Sequence, residues 1–173
     1  MAGIDRRTFL RGALAAAALP LLGRPARAAS LPAGTVALLG TSPYVYVSPL
    51  RKDGQESTCH GEVWFAWLDG QVVLITARDR WKARSTVSGS GTARIWVGDH
   101  GRWKGVLGRN EDFRKAPHFD ARARIVKDDA LLDRLIAAYE KKYPDEIAKW
   151  RDRFRSGYAS GERVLVVYEP LAS

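Results

Sequence analysis

Cysteine is almost missing from this chain of 173 residues, and the lone Cys59 rules out an intrachain disulfide. A buried thiol is its expected role, with an interchain disulfide as the lesser alternative in an oxidising compartment. Histidine is nearly as scarce. His60, His100 and His118 fall in an expected strand, a turn and a loop, at no spacing that gathers a metal ion. His60, beside Cys59, is expected as a satisfied buried histidine rather than a catalyst or ligand. No Ser–His–Asp order and no carboxylate pair stands out, so the chain carries no hydrolase signal. Nor is there an acidic surplus, since the net charge is +9. Arg6, Arg7, Arg11, Arg24 and Arg27 stand against Asp5 in the first 28 residues, which leaves 23 basic and 18 acidic groups beyond them. That moderate excess suits an anionic ligand. Nucleic acid is not an expected partner, because no Lys/Arg block is interleaved with aromatics along one element. Beyond residue 28 there is no transmembrane run, internal repeat or low-complexity region. The length allows one well-buried domain and is short for two.

The amino terminus reads as an address. Asp5-Arg6-Arg7-Thr8-Phe9-Leu10 precedes an Ala-rich apolar run from Gly12 to Leu22, interrupted by Pro20 and too short for a permanent membrane anchor. Ala26-Arg27-Ala28 supplies small residues at the spacing of a signal-peptidase site. The segment resembles a twin-arginine signal, with Asp5 where Ser or Thr is more usual. The resemblance implies the twin-arginine export machinery as a partner, cleavage near Ala28, and a periplasmic or extracellular destination. Residues 1–28 are then the signal, 29–41 an amino-terminal linker and 42–173 the folded domain.

The remainder is dominated by short, turn-punctuated strands. Leu31 to Gly40 allows a first strand or a short helix over one end of the domain. Tyr44–Val47 reads as a strand, Arg51-Lys52-Asp53-Gly54 as a turn, and about Glu56 to Leu68 as the next strand. Asp69-Gly70 then turns the chain into Val72–Thr76. Two hairpins marked by Asp-Gly favour an antiparallel arrangement over βαβ units. Thr92–Val97 is a strand, Arg102–Leu107 its expected hairpin partner, and Gly108–Pro117 a loop. Phe119–Val126 alternates as a half-buried strand. Asp128 and Asp129 cap a helix with Leu132, Leu135, Ile136 and Tyr139 on its apolar face. Pro144 opens a second helix carrying Ile147, Trp150 and Phe154, spaced as core contacts, with Gly157 and Gly161 ending it. Arg163–Tyr168 is the last strand.

One stretch carries the chemistry. The β-branched run Val72-Val73-Leu74-Ile75 ends in Thr76, and Arg78, Arg80, Lys82 and Arg84 follow at alternate positions. The segment from Asp79 to about Val87 opens a short helix. A strand end, a hydroxyl and a basic helix entrance suit a phosphate, since unpaired backbone N–H groups and charge-assisted hydrogen bonds converge there. A solvated basic loop beside a core strand is the competing reading. Trp64 and Tyr46 are aromatics that could flank a planar ligand or simply fill the core.

Taken in order, these elements resemble the flavin-binding split-barrel family related to pyridoxamine 5′-phosphate oxidase, including its deazaflavin-using relatives. The likeness is carried by Arg51-Lys52-Asp53-Gly54, Val63-Trp64-Phe65, Asp69-Gly70, Ile75-Thr76 with Lys82 six residues on, and Ala121-Arg122-Ala123-Arg124-Ile125. It implies a mostly β (α+β) fold: an antiparallel split β-barrel of six or seven strands, a short helix after the third and a helical pair before the last. It also implies a homodimer and an FMN or deazaflavin site, with Thr76, Arg78, Arg80, Lys82 and Trp64 as the binding residues. The expected activity is that of an exported flavin- or deazaflavin-dependent oxidoreductase acting on a small molecule. The alternative is a non-catalytic barrel binding another anionic or tetrapyrrole (heme) ligand, for which His60 would matter more than Lys82. In family oxidases a phosphate-binding Arg and Lys stand on the strand before the turn. Here that strand reads Thr58-Cys59-His60-Gly61-Glu62-Val63-Trp64-Phe65, and Arg80 replaces a common Ser.

Overall fold

The computed structural model describes residues 31–105 and 108–172. The expected signal segment, residues 1–28, lies outside the described residues. Seven strands form one antiparallel sheet: β1 (Val45–Pro49), β2 (Gly61–Val63), β3 (Ala66–Leu68), β4 (Gln71–Ala77), β5 (Thr92–Val97), β8 (His118–Val126) and β9 (Arg163–Pro170). Between β5 and β8, a separate ribbon pairs β6 (Lys104–Gly105) with β7 (Gly108–Arg109). The strand order is β2-β1-β5-β8-β9-β4-β3. β2 and β3 are thus opposite edges, yet only Trp64 and Phe65 separate them in sequence. The two edges meet at that dipeptide, so the sheet rolls into a barrel with its seam there.

Burial on both faces explains why β4 reads as a continuous apolar run. Val72 and Leu74 point into the barrel with Val45, Ile95, Val164 and Val166. Val73 and Ile75 point the other way, with Leu165 and Val167, against a helical layer. That layer is α3 (Asp129–Lys142), α4 (Pro144–Ile147) and α5 (Arg151–Ala159). Its packing residues include Leu132, Leu135, Ile136 and Tyr139, the face the periodicity predicts. Each such side chain contributes on the order of 1.5–3 kcal/mol through removal of apolar surface from water. Asp128 caps α3, accepting a hydrogen bond from the Leu131 N–H at 2.9 Å. Two further helices close the barrel: α1 (Ala33–Thr41), within the stretch expected as a linker, buries Leu39, and α2 (Trp81–Ser88) buries Ala83. The β3–β4 turn places both Asp69 (φ 51°) and Gly70 (φ 76°) in the left-handed region, as its Asp-Gly sequence predicts.

Four expectations are corrected. The strand expected from Glu56 to Leu68 is broken: Glu56 makes an isolated bridge to Leu50, and regular pairing resumes only at Gly61. Two tyrosines, Tyr139 of α3 and Tyr143 between α3 and α4, hold the second break. The Tyr143 hydroxyl accepts from the Phe65 N–H (3.1 Å) and donates to the Pro43 carbonyl (2.7 Å), while Tyr139 donates to the Trp64 carbonyl (2.9 Å). Cys59 is exposed rather than buried, because its backbone N–H turns onto the Ser57 hydroxyl and only the following His60 points inward. Lys104–Gly105 does not pair with β5, whose two edges are already taken by β1 and β8. The second helix is two pieces, and Gly157 lies inside α5 rather than ending it. The end falls instead at Gly161, with φ 80°.

Tyr143→Phe leaves the Phe65 N–H and the Pro43 carbonyl without their shared partner. It is expected to lower unfolding free energy by about 1–3 kcal/mol, read by urea denaturation, with the fold retained.

Candidate functional site

The end of β4 and the start of α2 lie beside a cavity of about 340 Å³. Three of the five residues named from the sequence line it: Thr76 at the strand end, Lys82 in the first turn of α2, and Trp64 at the barrel seam. Trp150, Phe154 and Tyr139 of the helical layer and Arg163 of β9 complete the wall. Thr76 is 8% exposed, and its hydroxyl makes no hydrogen bond among the described residues. Lys82 is half-buried, and burial is the main reason its pKa is lowered, with Arg80 acting in the same direction and Glu62 opposing. No carboxylate among the described residues lies within ion-pair distance of its ammonium, which sits 4.5 Å from the centroid of the Trp81 ring. Gly61 makes room for it: a Cβ there would stand 3.4 Å from Lys82 Nζ and 3.2 Å from the Trp81 ring. The indole of Trp64 stacks on Tyr143, with centroids 4.5 Å apart and planes within 9°.

An under-coordinated hydroxyl and a partly dehydrated ammonium without an ion pair, beside aromatic walls, have the chemistry that suits an anion attached to a flat apolar group. Arg78 and Arg80 do not line this cavity. Both are exposed; Arg80 precedes the first turn of α2, and the Arg78 Nε donates to the Gly161 carbonyl at 2.8 Å. Arg84 is exposed as well. Sequence reasoning missed Arg163, which pairing of β9 with β4 brings opposite Ala77. Trp150 and Phe154 were expected as core; Phe154 is, but Trp150 is 37% exposed and both face the cavity.

Tyr46 and His60 belong to another neighbourhood, on the outer face of β1 and β5. Tyr46 is fully buried, stacked on Phe113, and its hydroxyl donates to the Gly101 carbonyl at 2.6 Å. His60 is buried between the Ser48 hydroxyl, 2.7 Å from Nδ1, and Arg114, 3.2 Å from Nε2. A guanidinium can only donate, so Nε2 accepts and Nδ1 carries the proton toward Ser48. Both ring nitrogens are thereby engaged, as expected of a satisfied core histidine. Glu56 links this cluster to the sheet through Arg114 (2.8 Å) and Arg94 (3.5 Å).

Residues 3–23 match the family model of the TAT (twin-arginine translocation) pathway signal sequence. No curated protein matches the chain significantly. Among solved structures, a conserved hypothetical protein from Mycobacterium tuberculosis gives a TM-score of 0.55 at 19% identity, over 84% of this chain and 83% of that one. The heme storage protein HutZ from Vibrio cholerae gives 0.53 at 15% identity, over 81% and 89%. A putative pyridoxamine 5′-phosphate oxidase from Listeria innocua gives 0.50 at 12% identity, over 79% and 90%. The fold is thus the split barrel, and the chain carries a twin-arginine export signal. No helix among the described residues is long and apolar enough to cross a membrane.

Burial and the adjacent Arg114 hold the His60 pKa below its ordinary 6.5. The unfolded chain therefore takes up the proton first as pH falls, and stability contributed by neutral His60 is lost from about pH 6.5 downward. Urea midpoints between pH 7.5 and 5.5 are expected to drop more steeply for the natural protein than for His60→Gln.

Proposed function

We propose that the chain is an exported flavin- or deazaflavin-binding oxidoreductase, with FMN or a deazaflavin held in the cavity between β4, α2 and the helical layer. The observation that carries this reading is the convergence of Thr76 and Lys82, neither hydrogen-bonded nor ion-paired through its side chain among the described residues, on a cavity walled by Trp64, Trp150 and Phe154. In it, the Thr76 hydroxyl donates to a phosphate oxygen and Lys82 neutralises the phosphate charge. The aromatic walls exclude water from the ring. A bound flavin supplies electron and hydride transfer, and the protein supplies position and field. Lys82 is prepared for an anion by its own burial: partly removed from water, with Glu62 acting on it only from beyond ion-pair distance, it is stabilised by any phosphate that arrives.

The reading includes a homodimer, as the split-barrel resemblance implies, and a periplasmic or extracellular location after cleavage near Ala28. Reduced nicotinamide is not expected in that compartment, so the electrons come from another donor or from the substrate itself. The heme storage protein among the similar structures makes a tetrapyrrole the second reading. Among the described residues the cavity wall offers no His, Cys or Met to an iron, its one tyrosine, Tyr139, is engaged by the Trp64 carbonyl, and both nitrogens of His60 are engaged, which favours the flavin.

An absorption spectrum of protein purified from its native host separates the two: flavin or deazaflavin bands support the first reading, and a Soret band the second. Removing two cations by Lys82→Ala with Arg80→Ala is expected to weaken FMN binding more than about tenfold while leaving the circular dichroism unchanged. Unchanged affinity, read by quenching of flavin fluorescence, would move the phosphate site elsewhere.

A further inference from the structure

Arg163 borders two spaces at once. On one side is the aromatic cavity; on the other is a recess of about 630 Å³ that also takes in Arg78, Arg153 and Ser156. The carboxylates of Asp79 and Glu162 line the same recess, yet none of these arginines forms an ion pair among the described residues. Their neighbours behave differently. Arg151 and Arg155, on the same helix as Arg153, pair with Glu140 at 2.7 Å and Asp133 at 2.6 Å. The arginines of the recess therefore outnumber its carboxylates three to two, and none is in ion-pair contact with either one among the described residues.

The placement of each one is constrained. Arg78 is tied through Nε to the Gly161 carbonyl. The Arg153 and Arg163 guanidinium groups lie 5.3 Å and 5.2 Å from the ring centroids of Trp150 and Phe154, the residues that wall the cavity. Gly157 accounts for the path of Arg163. A Cβ at that position would stand 2.9 Å from Arg163 Cδ, so a glycine inside α5, unfavourable for the helix itself, is what lets the stem through. Burial, then Arg153 and to a lesser degree Arg80, make Arg163 a weaker base than an ordinary arginine against the opposing charge of Glu162, and an anion placed among the arginines relieves what repulsion remains.

We propose that Arg78, Arg153 and Arg163 form a second anion subsite, continuous with the aromatic cavity through Arg163, and that the bound molecule carries two anionic groups. This rests on the flavin reading of the cavity and extends it. One group sits at Thr76 and Lys82, and the other, a second phosphate or an equivalent anion of the same molecule, sits among the arginines. The ligand is then a mononucleotide with an anionic extension, of the dinucleotide class, rather than FMN alone.

The test uses the purified full chain and its Arg78→Ala/Arg153→Ala variant, both sites being exposed. Riboflavin, FMN and FAD are titrated by flavin fluorescence, and inorganic pyrophosphate by calorimetry. The natural protein is expected to bind FAD at least about tenfold more tightly than FMN, and the double variant to lose that advantage while FMN affinity stays within about twofold. An FAD advantage that persists in the variant belongs to the adenosine half and overturns the subsite. Equal FAD and FMN affinities in the natural protein overturn it too. Pyrophosphate that binds equally well with and without saturating FMN, with no gain for FAD, places the second anion on a separate molecule and overturns the proposal in this form. Should no flavin bind, the flavin reading fails, and pyrophosphate then decides the subsite alone. Binding lost in the double variant but kept in Lys82→Ala upholds it, and no binding overturns it.

Discussion

The geometry of the molecule depends on a break of two residues. Because one short segment supplies both edges of the sheet, the chain must leave one ladder at Val63 and join the other at Ala66. The backbone groups released at Trp64 and Phe65 would be costly if buried without partners. Tyr139 and Tyr143 take them up, and the same Tyr143 hydroxyl reaches the Pro43 carbonyl ahead of β1. Burial raises the pKa of both phenols, so they stay neutral donors throughout the physiological range. Helical layer and barrel are joined at this seam. Phe65 turns into the barrel there, while Trp64 turns outward to the cavity.

Charge is distributed unevenly around that frame. On the outer face of β1 and β5, Glu56 gathers Arg94 and Arg114, and Arg94 also makes a two-pronged contact with Asp120 across the β5–β8 ladder. Those cations are satisfied by the protein, and they hold the loop after β5 against the sheet. Around the opposite end of β4, Lys82, Arg78, Arg153 and Arg163 have no such partners among the described residues. Of these, Lys82 and Arg163 are half-buried, and a half-buried cation without an ion-pair partner is unfavourable in isolation, whereas a phosphate restores the balance. The difference between the two regions is what supports reading one as scaffold and the other as the proposed binding site.

Local signals made much of the fold readable in advance. Asp69-Gly70 could adopt the left-handed turn that a two-residue hairpin needs, and the strict alternation of Phe119 to Ile125 indicated a sheet with one face covered. The apolar spacing of Leu132, Leu135, Ile136 and Tyr139 identified the face of α3 that packs. Longer-range effects were less legible. Val63-Trp64-Phe65-Ala66 has the composition of an uninterrupted strand, and the break within it is imposed by tyrosines more than seventy residues away. Gly157 looked like a helix end because glycine usually is one; it lies inside α5, where a Cβ would crowd the Arg163 side chain from β9.

By itself, the order of residues determined the export signal, the antiparallel short-strand architecture, and the phosphate-suited run from Thr76 to Lys82, because each rests on neighbours in the chain. Tertiary structure alone decided which of those basic residues face the cavity. Lys82 does, Arg78 turns to a second recess, and Arg163 joins them from 87 positions beyond Thr76. The reason is that a charge acquires its role from what surrounds it in space. The lack of an ion-pair partner, which distinguishes these cations from the paired ones among the described residues, arises only when β4, β9 and α5 are packed together.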